Sequence, residues 1–164
     1  MRRNPAAFAI LAGGAIAGAL DITYAIVFSA LYRGVPPIRV LQSVASGLLG
    51  AAAFDGGLPT AALGLLLHFF IAFSAAALFY LASRRLPFLI QHAVLAGVLY
   101  GAGIYAVMNL VVVPLSAFPR KLSFPPLVLA TGLFVHMFFI GLPIALAARR
   151  ASQAVALSRI SGPE

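Results

Sequence analysis

The chain has 164 residues, of which 63% are hydrophobic and 9% charged, and its formal net charge at pH 7 is +8. A soluble domain of this size keeps a large share of its atoms at the surface, so it could not hide this much apolar side chain from water. The composition therefore indicates an integral membrane protein. The sequence contains no cysteine, which excludes disulfides and thiolate chemistry.

Four apolar segments are long enough to cross a hydrocarbon core about 30 Å thick. We predict transmembrane helices over residues 7–31, 59–83, 89–113 and 126–148. The first segment carries Asp21 and is too long for a cleaved signal peptide. Pro143 predicts a kink in the last helix. The predicted fold is an all-α integral membrane bundle of four transmembrane helices, arranged as two tandem helical hairpins in a single domain over residues 1–150.

The segment between the first two spans is shorter and more polar. Pro36 and Pro37 are expected to end the first helix, because proline lacks an amide hydrogen and restricts the residue before it. Apolar residues then continue at helical spacing over residues 38–54, with polar residues between them. We predict an additional helix here that lies at the membrane interface or re-enters the membrane. Residues 151–164 are predicted to form a mobile cytoplasmic tail.

The basic residues stand in groups at the ends of the apolar segments, which is typical of membrane orientation and not of a nucleic-acid surface. If the N-terminus is inside, the cytoplasmic side holds seven arginines: Arg2, Arg3, Arg84, Arg85, Arg149, Arg150 and Arg159. The opposite side then holds four basic residues: Arg33, Arg39, Arg120 and Lys121. This excess predicts that both termini are cytoplasmic.

A motif of glycine followed four residues later by histidine occurs twice, at Gly64 and His68 and again at Gly132 and His136. Both helices then end in Leu-Ala-x-Arg-Arg, and the first and third helices each carry Gly-x-x-x-Gly. Small residues let helix backbones approach closely in lipid, where no hydrophobic force draws helices together. We therefore predict helix packing at six glycines: Gly14, Gly18, Gly64, Gly97, Gly101 and Gly132.

Six polar side chains form a predicted intramembrane site: Asp21, Tyr24, His68, Tyr105, Asn109 and His136. At about 1.5 Å per residue, four of them fall in one layer roughly 12–17 Å below the outer surface. Tyr24 and Asn109 lie about one turn closer to that surface. A carboxylate at this depth costs about 2.5–3.5 kcal/mol and needs a partner or water. His68 or His136 would supply that partner to Asp21.

Three function classes follow from this layer. Buried Asp and His side chains can exchange protons near neutral pH, which favours proton or cation handling or small-solute transport. The first alternative is a structural or accessory membrane subunit, in which these side chains only hold the helices together. The second alternative is a b-type haem protein with His68 and His136 as axial ligands. The main prediction includes no cofactor, and haem b is the runner-up. The expected partner is the lipid bilayer, with a homo-oligomer or larger membrane complex left open.

The sequence argues against an enzyme. It contains no Gly-rich phosphate loop, no nucleophile motif and no His-Glu-x-x-His helix, and its only acidic residues are Asp21, Asp55 and Glu164. We therefore assign no catalytic residue and no metal ligand.

Several motifs resemble the YagU-like family of uncharacterised bacterial inner-membrane proteins. They are His68-Phe-Phe-Ile-Ala-Phe-Ser, Pro87 with Gln91 and Leu95-Ala-Gly-Val-Leu-Tyr, Pro114-Leu, Gly132 with His136, and Arg149-Arg150. The similarity covers roughly residues 59–150. It implies a location in the bacterial inner membrane and matches both helix histidines. It brings no known activity, and Asp21 lies outside the matched region.

Overall fold

The computed structural model describes residues 4–119 and 125–160, with side chains as far as residue 155. The described chain is helical throughout, apart from its short connections. Its α-helices are α1 (Pro5–Arg33), α2 (Pro37–Leu49), α3 (Gly57–Arg85), α4 (Phe88–Gln91), α5 (Ala93–Val107), α6 (Val113–Leu115), α7 (Pro126–Val135) and α8 (Leu142–Ile160). A 3-10 segment, Gly50–Phe54, follows α2. Two π-helical segments, Met108–Val112 and His136–Gly141, join α5 to α6 and α7 to α8.

The prediction of an all-helical chain with several long apolar helices is confirmed. Within the described residues, five helical runs are long and apolar enough to cross a membrane: Pro5–Arg33, Pro37–Phe54, Gly57–Arg85, Ala93–Leu115 and Pro126–Val155. Four of these contain the predicted spans almost entirely. The fifth is the segment predicted to be interfacial or re-entrant, so length and composition alone give one candidate more than the predicted four.

The ends of α1 are set by local hydrogen bonds. The side chain of Asn4 accepts hydrogen bonds from the amides of Ala6 and Ala7, and Pro5 fills the first position, where no amide is needed. At the other end Gly34 adopts a left-handed conformation, with φ of 64°, and its amide donates to the carbonyl of Ala30. Gly34 therefore ends α1, whereas Pro36 and Pro37 were predicted to end it.

The segment α2 and the 3-10 turn after it do not form one continuous rod. Gly50 has a φ of 63°, which breaks the helix. Nη1 of Arg39 then donates a hydrogen bond of 2.7 Å to the carbonyl of Phe54. In a straight α-helix these residues would be roughly 22 Å apart. The chain therefore doubles back, and the 18 residues do not make a straight rod.

The buried face of α2 is partly polar. Gln42 is 2% exposed and Ser46 is fully buried, whereas Leu48 is 62% exposed. Nε2 of Gln42 donates to the carbonyl of Gly57 and to Oγ1 of Thr60, which anchors α2 to the start of α3. This arrangement suits a helix whose outer side faces lipid, because only the protein interior can satisfy its polar groups.

The longer helices pack into a bundle in which α1 contacts both α3 and α8. Helix α5 packs against α8 and against the π segment His136–Gly141 that precedes α8. One end of the bundle, here called the base, has a cavity of about 560 Å³ lined by residues that include Pro5, Arg84, Gln91 and Ser152. At the opposite end, here called the capped end, α2 packs on α3, and the carbonyl of Gly47 accepts a hydrogen bond from the amide of Ala117.

All six glycines singled out in the sequence lie at close helix contacts. Gly14 and Gly18 face Phe73 and Phe69 of α3, and Gly64 faces the backbone of Leu41 in α2. The remaining three lie between α5 and the helix formed by α7 and α8: Gly97, Gly101 and Gly132. A β-carbon on Gly101 would run into the carbonyl of His136, so these two backbones approach each other directly.

Both π segments end two residues before a proline. The amide of Val113 donates to the carbonyl of Met108, and the amide of Leu142 donates to the carbonyl of Met137, five residues back in each case. Pro114 and Pro143 cannot donate to the carbonyl four residues earlier, and their rings crowd it. The perturbation expected at Pro143 thus takes the form of a widened turn.

The C-terminal helix continues beyond the predicted end of the last span. Helix α8 extends to Ile160, so the segment predicted as a mobile tail is helical from residue 151 to residue 160. Residues 161–164 lie outside the described part, as do four residues used for orientation: Arg2, Arg3, Arg120 and Lys121.

Candidate functional site

The structure brings Asp21 of α1 close to His68 of α3. Nδ1 of His68 lies 4.0 Å from Oδ2 of Asp21. Both side chains are largely buried, with 13% of the histidine and 20% of the aspartate exposed. Four residues N-terminal to His68, Gly64 allows close contact with α2, while Gly18 allows the close contact between α1 and α3.

The second ring nitrogen of His68 fixes the tautomer. Nε2 lies 2.8 Å from the carbonyl oxygen of Gly18. A carbonyl oxygen can only accept, so Nε2 carries the proton and donates it. In the neutral ring, Nδ1 is therefore an unprotonated acceptor on the side of Asp21. Nδ1 of His68 and the carboxylate of Asp21 are the two sites at this contact that can accept a proton.

The pair lines a cavity of about 200 Å³ within the bundle, here called the central cavity. Its walls are otherwise mostly apolar and include Ala72, Ile104 and Ile140. His136 enters the same cavity from the π segment between α7 and α8. The predicted polar layer is thus present around this space for three residues: Asp21, His68 and His136.

His136 occupies the first position of the π segment between α7 and α8. Its Nδ1 lies 2.9 Å from the carbonyl of Gly132, to which it donates. The ring packs edge-on against Tyr105, with centroids 5.0 Å apart. Gly132 leaves room for that tyrosine, since a β-carbon there would lie 3.0 Å from the tyrosine ring. These contacts of Tyr105 hold α5 against α7 at the depth of the polar layer.

A second and larger cavity, of about 430 Å³, lies between the central cavity and the capped end, and is here called the vestibule. Four of the predicted polar residues line it: Tyr24, Tyr105, Asn109 and His136. Arg33 and Arg39 line it as well. His136 lines both cavities and so lies between the vestibule and the Asp21–His68 pair.

Two of the predicted polar residues have mainly local partners. Nδ2 of Asn109 donates to the carbonyl of Tyr105, four residues earlier in the same helix. The ring of Tyr24 stacks on Phe28 with centroids 5.3 Å apart, and Phe28 stacks in turn on Tyr32. Neither Tyr24 nor Asn109 reaches the central cavity, so the structure separates them from Asp21 and His68.

Sequence reasoning treated Arg33 and Arg39 only as orientation signals and did not place them in the site. The spacing of Arg39 and Phe54 carried no sign of their contact, which arises because the chain reverses at Gly50. Sequence reasoning also missed Met108 and Val44, which line the central cavity. The proline two residues after each π segment was the available signal for the position of Met108.

Toward the base, the polar layer gives way to an apolar barrier. Phe79 and Ile144 are each 1% exposed and belong to the main buried cluster. Tyr100 closes over Phe79 with ring centroids 5.0 Å apart, and its hydroxyl donates to the carbonyl of Ala75. The polar lining therefore continues from the central cavity to the vestibule and not to the base.

The cavity that the two histidines share is too small for a haem in this arrangement. Nε2 of His68 and Nδ1 of His136 donate to backbone carbonyls, which leaves Nδ1 of His68 and Nε2 of His136 as the nitrogens that could ligate iron. The cavity they share, about 200 Å³, is smaller than the roughly 300–1,000 Å³ of pockets that enclose small organic ligands. Within the described residues, no group of three or more metal-ligating side chains is assembled.

No protein-family model, no curated protein and no solved structure matches the chain. The resemblance to the YagU-like family therefore rests on the sequence motifs alone, and the chemistry of the cavities is what bears on function.

Proposed function

We propose that the chain is a four-span membrane protein that conducts protons through the Asp21–His68 pair and that a small solute can accompany them. The observation that carries this proposal is the pair itself, buried in the wall of a cavity. Intramembrane carboxylates are costly, and where they occur beside histidine they are typical of proton relays in pumps and transporters.

The four spans are α1, α3, the helix from α5 to α6, and the helix from α7 to α8. The reversal at Gly50 supports this topology, since α2 is left with 13 residues, roughly 20 Å of helix. The hydrogen bond from Ala117 to Gly47 ties it to the connection after α6. We place α2 across the capped end, with both termini of the chain at the base on the cytoplasmic side, as the arginine count predicts.

The tautomer of His68 gives the pair its chemistry. With Nε2 committed to Gly18, only Nδ1 and the carboxylate of Asp21 can take up a proton. Protonation neutralises the pair, and a neutral pair costs less in a low-dielectric interior. The vestibule gives this pair polar access from the capped end, while the barrier at Phe79 and Ile144 separates it from the base. Such one-sided access is what a transporter presents in one of its two states.

Proton flux into proteoliposomes tests the proposal. Purified protein is reconstituted around a pH-sensitive dye, and an inward proton gradient is imposed at fixed membrane potential. We expect the parent chain to acidify the interior faster than protein-free liposomes. Asp21→Asn and His68→Gln should each reduce the rate to that of protein-free liposomes, because each removes one of the two proton-binding groups.

Asp55→Asn is the matched control, since Asp55 is an exposed carboxylate in the turn before α3. It should retain the parental rate. A second readout is the unfolding temperature of the parent and of Asp21→Asn between about pH 4 and pH 8, the range in which His and buried Asp titrate. If Asp21→Asn equals the parent in both flux and pH-dependent stability, the proposal is wrong.

The accessory-subunit alternative is favoured by one observation, the hydrogen bond from His68 to Gly18, which joins α3 to α1 without any proton transfer. A combined variant with alanine at Asp21, His68 and His136 separates the two functions. If this variant folds and retains the activity of the parent, the polar layer serves only to hold the helices together.

A further inference from the structure

Two exposed guanidinium groups line the vestibule and have no acidic partner among the described residues. Arg33 and Arg39 both line this cavity. The single carboxylate contact within 4.0 Å of a basic side chain, in the part of the chain that the structure describes, is that of Asp21 with His68. Guanidinium groups at a membrane interface stay charged and attract anions. The vestibule therefore has an excess of positive charge that an anion can neutralise.

Arg39 is held in position and still has donors to offer. One of its five N–H groups donates to the carbonyl of Phe54 over 2.7 Å, and the guanidinium lies 5.7 Å from the centre of the Phe54 ring. Such contacts orient a guanidinium before a ligand arrives, which reduces the entropy lost on binding. Arg33 is the last residue of α1 and lines the same cavity.

The remaining walls of the vestibule suit an organic body and not a bare inorganic ion. Phe28, Phe118 and Val128 supply apolar surface. Tyr24 and Tyr105 supply phenol hydroxyl groups. The volume of about 430 Å³ falls within the roughly 300–1,000 Å³ typical of small-molecule pockets.

We infer that the vestibule binds a small organic carboxylate, with its charged end at Arg39 and Arg33 and its apolar body against Phe28 and Phe118. Guanidinium groups bind carboxylates through paired, charge-assisted hydrogen bonds. The carboxylate chemistry has two sources, a free aromatic or aliphatic acid from solution and a fatty acid from the bilayer.

This inference rests on the proposed function in one respect, since it names the solute whose passage the Asp21–His68 pair would accompany. A carboxylate is suited to that role because a single proton neutralises it. Binding is measured without transport, however, so the two claims fail separately. Benzoate binding with no proton flux would refute the proposed function and keep the anion site, and proton flux with no carboxylate binding would do the reverse.

Binding of benzoate to the purified full-length protein is the test. Isothermal titration calorimetry gives Kd, and the shift in unfolding temperature gives an independent readout. Benzyl alcohol serves as the neutral analogue, inorganic phosphate as the bare anion, and decanoate as the lipid-derived carboxylate. We expect benzoate to bind and raise the unfolding temperature, while benzyl alcohol and phosphate leave it unchanged.

The arginine variants locate the site. Arg39→Gln should weaken benzoate binding by roughly tenfold or more, Arg39→Lys should retain part of the affinity, and Arg33→Gln should weaken it as well. Arg33→Gln keeps the test valid if Arg39→Gln fails to fold, because the Arg33 side chain makes no hydrogen bond to the other described residues. Arg85→Gln, an exposed arginine at the base, is the matched control and should bind benzoate like the parent.

Binding of decanoate but not benzoate, with the same arginine dependence, would uphold the carboxylate site and assign its ligand to the bilayer. Three results would overturn the inference: equal binding of benzyl alcohol or phosphate, equal weakening by Arg85→Gln, or binding of neither carboxylate.

Discussion

His68 joins two helices through opposite sides of one ring: Nε2 lies 2.8 Å from the Gly18 carbonyl, and Nδ1 lies 4.0 Å from Oδ2 of Asp21. Both partners lie on α1, three residues apart, so they present a carbonyl and a carboxylate on the same helical face. The histidine is thus held on α1 by the bond from Nε2, while Nδ1 faces the carboxylate without forming a hydrogen bond to it.

With one proton shared between Nδ1 of His68 and the carboxylate of Asp21, a double-mutant cycle on Asp21→Asn and His68→Gln should give a favourable coupling of about 0.5–1.5 kcal/mol. The reason is that each substitution removes one side of the same contact, so the second costs less than the first. Unfolding free energies of the four proteins in detergent provide the measurement.

The matched cycle pairs Asp55→Asn with His68→Gln. Roughly 16 Å of helix separates His68 from Gly57, two residues after Asp55, so these changes should be additive within about 0.5 kcal/mol. Coupling of equal size in both cycles would mean that the first one reports on the detergent-solubilised chain in general and not on the Asp21–His68 contact.

Gly101→Ala should destabilise the protein by about 1–3 kcal/mol, because its β-carbon would collide with the carbonyl of His136 and neither backbone can yield cheaply. Gly103→Ala is the control on the same helix, where nothing lies within 4 Å of the added carbon. That change should instead stabilise the helix by about 0.5–1 kcal/mol. The measurement is thermal unfolding of both variants. Equal effects would contradict the backbone contact between α5 and the π segment.

Much of this fold could be predicted from sequence because lipid imposes simple rules. Apolar runs of spanning length indicate helices, and a fixed rise per residue converts sequence position into depth. Depth alone does not give the direction in which a side chain points around the bundle. The sequence therefore offered Asp21 two partners, His68 and His136, and only the packing of α1 on α3 distinguishes them.

The capped end could not be predicted in the same way. The reversal after α2 depends on the φ of Gly50, which is allowed for glycine anywhere and is selected here by contacts remote in sequence. The hydrogen bond from Arg39 to Phe54 follows from that reversal. The position of Arg39 in the chain predicts only a charge at a membrane edge. The vestibule depends on where α2 lies in the fold, so it could not be predicted from the sequence.

Cysteine labelling should show that α2 does not cross the membrane. The chain contains no cysteine, so single substitutions need no altered background. Pro36→Cys and Asp55→Cys flank α2 and its 3-10 turn, and both should react with a membrane-impermeant maleimide from the same side. Arg85→Cys and Ser152→Cys at the base should react from the other side. Labelling of positions 36 and 55 from opposite sides would refute the four-span topology.

Pro143→Ala should lower proton flux while leaving stability equal or higher. Alanine restores an amide that can donate to the carbonyl of Phe139, so the π segment can revert to α-helix. Losing the extra residue of the π turn rotates the preceding helix, α7, by about 100° relative to α8. This rotation would turn His136 away from the central cavity.

Pro126→Ala is the control, because the first position of α7 needs no amide hydrogen bond. Flux is measured in proteoliposomes, and the NMR shift of the His136 ring, now packed against Tyr105, reports its position. A variant with the parental ring shift and the parental flux would show that Pro143 does not hold His136 in place, and the widened turn would then be maintained by the contact of Gly141 with Gly97 and Gly101.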